Sequence, residues 1–245
     1  MPPVPGEERR TYPKVLEPLR PQVRRVRRWT RRVAEERRAA RAAEELELER
    51  VERLRRAQAS TGLLLDVGTS SGYLSPGWLG FDLDPDEQSL RLDASQPWPL
   101  PDGCARAVRT EHMIEHLSWD EAAFCIREAA RVLEPDGLCR ICTPDLEGIA
   151  RIYLERDADL LAVHREHGYS APTWAHLPNN YLRMWGHKFV FDFDSLRVLL
   201  EAAGFEQIER ADFNRSRHEL LDGTDSHDPG PLAALVLCID AVNPA

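Results

Sequence analysis

The sequence predicts an α/β architecture, an open and mostly parallel sheet flanked by helices, and three observations predict it. Residues 63–67 (Leu-Leu-Leu-Asp-Val) and 78–81 (Trp-Leu-Gly-Phe) are short apolar runs bounded by turn residues, as strands buried on both faces are. Between them Gly68-Thr-Ser-Ser-Gly72 is a small-residue loop that lets a ligand approach the backbone closely. Further apolar runs alternate with amphipathic segments from residue 89 to residue 241, which is the pattern of a doubly wound sheet.

Taken in order, residues 1–21 are proline-rich and read as irregular. Residues 22–58 contain neither proline nor glycine and are dominated by Ala, Arg, Glu and Leu, which predicts one long helix. Val26, Val33 and Ala40 repeat every seven residues, then Leu46, Leu48, Val51 and Leu54 resume out of phase. That imperfect heptad suits a solvated charged helix, one packed on its own domain, or one paired across a homodimer. Residues 1–60 thus form an extension and 61–245 the main domain. A third strand falls within 89–94 and a fourth at 105–109. Ser118 caps a helix over 120–133 whose buried side carries Ala122, Cys125, Ile126 and Ala129. Pro135-Asp-Gly137 turns the chain into a fifth strand at 138–142. Residues 146–186 are too long and too polar for a plain connection and read as a helical or irregular lid. A helix over 193–203 closed by Gly204, strands at 206–212 and 233–241, and a polar loop between them holding 214–219 and 223–227 complete seven strands.

This ordered set resembles the class I S-adenosylmethionine (SAM) methyltransferases, which have a Rossmann-like seven-stranded sheet and a first motif acidic-x-Gly-x-Gly-x-Gly. Asp66, Gly68 and Gly72 fall on that motif, and Ser70 replaces its middle glycine. The resemblance implies SAM along Asp66, Gly68, Ser70 and Gly72, with Asp82 on the ribose diol, Asp93 and Ala94 at the adenine edge, and Glu111 in the same pocket. Only about ten residues separate Gly68 from Trp78, too few for a full crossover helix. That short loop, Gly77-Trp78 and Asp82-Leu-Asp84-Pro85 look like a bacterial subgroup encoded among sugar and polysaccharide genes. Together with 30 arginines against 2 lysines, the mark of a GC-rich genome, the resemblance implies O-methylation of a sugar or oligosaccharide hydroxyl, of the kind that makes polymethylated mannose or glucose polysaccharides in actinobacteria. The alternatives are methylation of an RNA 2′-hydroxyl or another small molecule, and a non-catalytic SAM-fold scaffold.

Chemistry concentrates in Thr110-Glu-His-Met-Ile-Glu-His-Leu117. A hydroxyl acceptor needs a positioned base, a metal, or both. His112, just after the fourth strand, is the first choice for the base and Asp145 the second, while His187 from the lid side suits substrate or metal. His112, Glu115 and His116 share one face of a helical turn, a spacing also found in the HxxEH zinc proteases, which the preceding sheet excludes. The segment resembles the Glu-x-x-Glu-His of metal-dependent methyltransferases, which implies a Mg²⁺ site at Glu115 and His116 with His112; a metal-free cap and pocket wall is the other reading. Trp174, Asn179, Asn180 and Trp185 in the lid suit a saccharide, which wants aromatic faces beside amides.

Composition closes other routes. No apolar run reaches the length of a membrane span, and 1–10 lacks the apolar core of a secretory signal, so a cytoplasmic protein is expected. Five scattered cysteines do not form a disulfide framework, and Cys139 and Cys142 lie on opposite faces of their strand. Asp82-Leu-Asp-Pro-Asp86 is not a calcium loop, because its sixth position is Glu87. Residues 1–60 carry 17 basic and 10 acidic side chains, against 15 and 31 in the remainder. The glutamates interleaved among those arginines, and the single Trp29, speak against nucleic acid as a partner.

Overall fold

Gly62 and Gly68, both at positive φ (70° and 87°), bracket the first strand and let the chain turn sharply into and out of it. The computed structural model describes residues 20–69, 74–226 and 230–245, with side chains from Arg28 onward except that of Pro231. The expected irregular segment before residue 20, together with Ser70, Gly72 and His227, lies outside the described residues.

The strands are β1 (Leu63–Val67), β2 (Leu79–Asp82), β3 (Ser89–Arg91), β4 (Ala105–Glu111), β5 (Leu133–Pro144), β6 (Glu206–Ala211) and β7 (Val236–Val242). They form one seven-stranded sheet in the order β3-β2-β1-β4-β5-β7-β6, parallel except for β7, which runs against both β5 and β6. The architecture is the Rossmann-like methyltransferase sheet with its long leading helix, α1 (Arg20–Gln58). Pro135-Asp-Gly137 is absorbed into β5 as a bulge and does not separate a helix from a strand. Asp136 takes φ 62°, and reciprocal bonds from Asp136 N to Asn243 O and from Asn243 N to Gly137 O (2.8 Å each) hold the ladder through the irregularity.

Residues 28–51 of α1 are mostly exposed and laced by ion pairs such as Arg31–Glu35 and Arg32–Glu36 (2.9 Å each). Pairs of this kind contribute no more than about 0.5 kcal/mol. In the last turns of α1, Leu54 and Ala57 instead pack on the main core. That core lies between one face of the sheet and helices α2 (Trp119–Val132) and α6 (Phe193–Ala202), around Leu65, Val67, Phe81, Val108, Ile141 and Ile239. Ser118 caps α2 through a full capping box with Glu121.

The other face is unusual. Strand alternation sends Asp66, Arg109, Arg140 and Asp240 there, all buried, and the segment 212–226 covers it with Leu220 and Leu221 packed on Trp78, Ala107 and Leu138. Arg140 forks onto Asp225 (Nε–Oδ1 and Nη2–Oδ2, 2.6 Å each) and reaches Asp240 (2.6 Å), whose other oxygen accepts from Ser216 (2.6 Å).

The lid is more ordered than its polarity suggests. It holds three helices, α3 (Leu146–Glu155), α4 (Ala158–Glu166) and α5 (His176–Arg183), around a small core of Ile149, Ile152, Leu161, Leu177 and Tyr181. Among the described residues no helix is long and apolar enough to cross a membrane.

Candidate active site

The carboxyl ends of β1 and β4 open into a cavity of about 460 Å³. Its sheet side is formed by Asp66, Gly68, Thr69, Glu111 and His112, and its lid side by Tyr169, Tyr181, Trp185 and His187. Gly68 owes its identity to this junction. A Cβ there would stand 2.3 Å from Met113 Cγ, at φ 87°, so the glycine makes room for the turn carrying His112. Gly68→Ala should therefore cost about 1–3 kcal/mol in chemical denaturation, from the strained φ alone. Asp66 is committed through one oxygen to Arg109 (2.6 Å), whose guanidinium also lies over Trp78 at 4.8 Å. Burial raises the Asp66 carboxyl above its usual range, against the pull of Arg109. Glu111 accepts from both the backbone N (2.8 Å) and the hydroxyl (2.6 Å) of Ser226.

Beyond Glu111 the chain breaks from the sheet through a left-handed residue, His112, at φ 51°. Its amide still donates to Cys142 O (2.9 Å), so the strain sits where β4 ends and the ring is turned toward Glu115. His112 Nδ1 lies 3.3 Å from Glu115 Oε1, while Thr143 Oγ1 donates to Glu115 Oε2 (3.0 Å). Burial works against the charged His112 ring, yet the hydrogen bond and charge of Glu115 hold its pKa above the usual histidine value. With Nδ1 facing a carboxylate, Nδ1 carries the proton and Nε2 presents its lone pair.

His187 arrives from the lid on a latch: the amides of Lys188 (2.8 Å) and Phe189 (3.2 Å) both donate to Glu115 O. Its Nδ1 donates to Tyr181 O (2.6 Å), its Nε2 is 4.0 Å from Glu115 Oε1, and its ring meets His116 edge-on at 5.0 Å. Burial keeps His187 below the usual histidine pKa. Trp185, at φ 57° and 43% exposed, stands edge-on to Tyr169 (5.0 Å) and tilted to Tyr181 (5.9 Å), forming an aromatic wall at the mouth. Burial pushes the Tyr181 phenol up to about 12.

Several expected residues stand elsewhere. Asp145 does not face the cavity: it caps α3 through Glu147 N (3.0 Å) and pairs with Arg210 (3.2 Å) along a separate groove, which removes it from the base's place. Asp82, Asp93 and Ala94 do not line the cavity. Asp82 accepts from Asp84 N (2.8 Å), and Asp93 from the amide (2.9 Å) and hydroxyl (2.7 Å) of Ser95. In the lid, Asn179 bonds Ala175 O (2.8 Å), Asn180 bonds the buried His164 (3.0 Å), and Trp174 packs on the lid core. Of the four lid residues read as saccharide contacts, only Trp185 lines the cavity. Sequence reasoning missed Thr69, Tyr169, Tyr181 and Ser226; the two tyrosines carried a signal in being aromatic residues of the histidine-rich segment that leads up to Trp185.

Mg²⁺ does not fit the turn that was expected to bind it. The side chains that converge there are Glu115, His116 and His187, with ligand atoms all within 4.8 Å of one another, and His112 stands beside Glu115 as its hydrogen-bond partner. Magnesium demands near-octahedral oxygen ligation, whereas two of these three donors are imidazoles.

A family model described as a methyltransferase domain matches residues 34–210. No curated protein sequence gives a significant match. Among solved structures the chain is similar to a Bacillus halodurans C-125 methyltransferase (17% identity, 79% of this chain and 98% of that one, TM-score 0.45). It is similar also to SAM-dependent methyltransferases from Archaeoglobus fulgidus (18%, 80% and 94%, TM-score 0.45) and Thermotoga maritima (16%, 81% and 90%, TM-score 0.43). The family match takes in most of the chain and the cavity from Asp66 to His187, and the protein therefore belongs to the methyltransferase-domain family.

Proposed function

We propose that this protein is a SAM-dependent methyltransferase that methylates a hydroxyl of a sugar or oligosaccharide. The donor site is the sheet end of the cavity. SAM carries a sulfonium and an ammonium against one carboxylate, and Asp66 and Glu111 make that end acidic. Gly68, whose Cβ position is closed by Met113, keeps the β1 turn tight beside it. When bound, SAM supplies an electrophilic methyl group.

The observation that carries the reading is that His112, on the sheet edge, and Trp185 with Tyr169, on the lid, line one cavity. Aromatic faces hold sugar rings, and a hydroxyl laid between them and the donor meets His112. As the C–O bond forms and the C–S bond breaks, the hydroxyl proton passes to His112 Nε2. Glu115 orients the ring through Nδ1, as a carboxylate orients a catalytic imidazole elsewhere. The lid excludes water from this displacement. Five buried free thiols suit a cytoplasmic setting, and pairing of two copies through α1 belongs to the same reading.

Mass spectrometry of the purified protein should find SAM or S-adenosylhomocysteine retained. Incubation with methyl-labelled SAM should then transfer label to partly methylated mannosides or glucosides. Label passing to RNA while every saccharide stays unlabelled would overturn the acceptor assignment and leave the donor assignment standing.

A further inference from the structure

We propose that His164 is a positioning residue of the lid: only as a neutral imidazole does it hold Tyr169 and Tyr181 in the cavity wall, so that mild acid releases the lid. His164 lies on α4 and is fully buried. Its ring packs against Tyr169 (centroids 4.9 Å apart) and Tyr181 (5.6 Å), the two tyrosines that line the cavity.

The hydrogen bonds fix where its proton sits. Asn180 Nδ2 lies 3.0 Å from Ser170 O and 3.0 Å from His164 Nε2. A carbonyl oxygen only accepts, so the atom facing it is the amide nitrogen, and that nitrogen gives its second hydrogen to the ring. Nε2 therefore offers its lone pair, and the proton of the ring is on Nδ1. Nδ1 is itself buried, with no hydrogen-bond partner among the described residues. A second proton would set an N–H at Nε2 against the N–H of Asn180, in a site that already leaves one donor unmet. The neutral ring fits there and the cation does not.

The surroundings do not stabilise a charge either. On α4, Arg165 is turned to Ala171 O (2.9 and 2.6 Å), and the carboxylates Asp159 and Glu166 belong to exposed residues. His167, just beyond the helix, would repel a second cation, and Tyr169 and Tyr181 are uncharged phenols. The 3₁₀ segment Gly230–Leu235, packed on α4, carries no ionisable side chain. Burial and His167 hold His164 below the usual histidine pKa. Its contribution to lid stability is thus complete above the ordinary value of about 6.5 and is lost as pH falls below it. His187 would act the other way: a second proton leaves its Nδ1 bond to Tyr181 O in place and draws Nε2 toward Glu115, 4.0 Å away.

Asn180 and Ser170 carry the effect to the cavity. Each is the chain neighbour of a cavity tyrosine, and the carbonyl of Tyr181 holds His187 (2.6 Å), so breaking the Asn180 bond loosens all three together. In the methyltransferase reading, on which this last point rests, acid weakens acceptor binding and leaves the sheet side of the cavity in place.

The test reads the lid itself, without donor or acceptor, so its failure is separate from failure of the methyl-transfer reading. Amide hydrogen exchange of the full chain is followed by mass spectrometry at about pH 7.5 and about pH 5.5, on either side of the histidine range and clear of the carboxylates, with intrinsic rates corrected at each. Residues 158–183 should exchange at least about tenfold faster at the lower pH, while β4 and β5 keep their protection. In His164→Gln, whose amide oxygen accepts from Asn180 without taking a proton, the difference between the two pH values should vanish. His164→Phe keeps a flat ring against the tyrosines and serves the same comparison should glutamine loosen the lid. No acceleration in the parent, an acceleration shared equally by β4 and β5, or one that persists in both variants would each overturn the proposal.

Discussion

His112→Asn should lower methyl transfer by about 10²–10⁴-fold, the usual contribution of a general base, with SAM affinity by calorimetry nearly unchanged. Asparagine is the substitution of choice because His112 sits at φ 51°, a conformation asparagine tolerates and most other side chains do not. The loss should therefore appear in kcat and not in the melting temperature. His112→Ala gives the same kinetic loss with an added cost in stability, since alanine is strained there. The assay uses whichever acceptor takes label from SAM, and single-turnover measurements separate the chemical step from product release. Turnover within a few-fold of the parent in His112→Asn would show that the proton leaves by another route.

The second large effect is on stability. Arg140→Leu should destabilise the protein by about 3–5 kcal/mol in denaturant titration, because it strands the carboxylates of Asp225 and Asp240 without a counter-charge. The side chains of both partners are at most 1% exposed, and the bonds are 2.6 Å long. The contrast is Asp102→Ala. Asp102 also pairs with an arginine, Arg131 at 2.7 Å, but it is 81% exposed, and its loss should register within about 0.5 kcal/mol. Similar losses in the two variants would show that burial does not set the strength of these pairs.

The first two strands were legible in the sequence because they are short apolar runs followed by turn residues, and α2 because its capping at Ser118 is local chemistry. Seven strands and both flanking helices stand where those signals put them, within a few residues. The bulge in β5 was not legible, since Pro-Asp-Gly reads the same whether the turn separates two elements or is spanned by two neighbouring strands. In the site, Glu115 and His116 were legible as neighbours on a short helical turn, but His112, left-handed at φ 51°, precedes that turn (Ile114–His116) and does not share a helical face with them. His187 was grouped with them only loosely, because its place depends on the amides of Lys188 and Phe189 bonding the carbonyl of Glu115, 73 and 74 residues earlier in the chain. Asp145 was misjudged for the opposite reason. Its position after β5 is right for the sheet edge, but the start of α3 claims its side chain as a cap, and Arg210 claims the rest.

The segment 212–226 has a consequence for how freely this chain can change in length. A surface loop usually accepts added or lost residues at little cost. Here one short stretch must place five residues at four fixed points: Ser216 on Asp240, Leu220 and Leu221 on the apolar patch, Asp225 on Arg140, and Ser226 on Glu111 at the cavity. An inserted or deleted residue between Asp212 and Ser226 shifts some of these away from their partners, uncovering a buried guanidinium and reshaping the cavity wall at once. The stretch has the appearance of a linker and the length constraint of a strand.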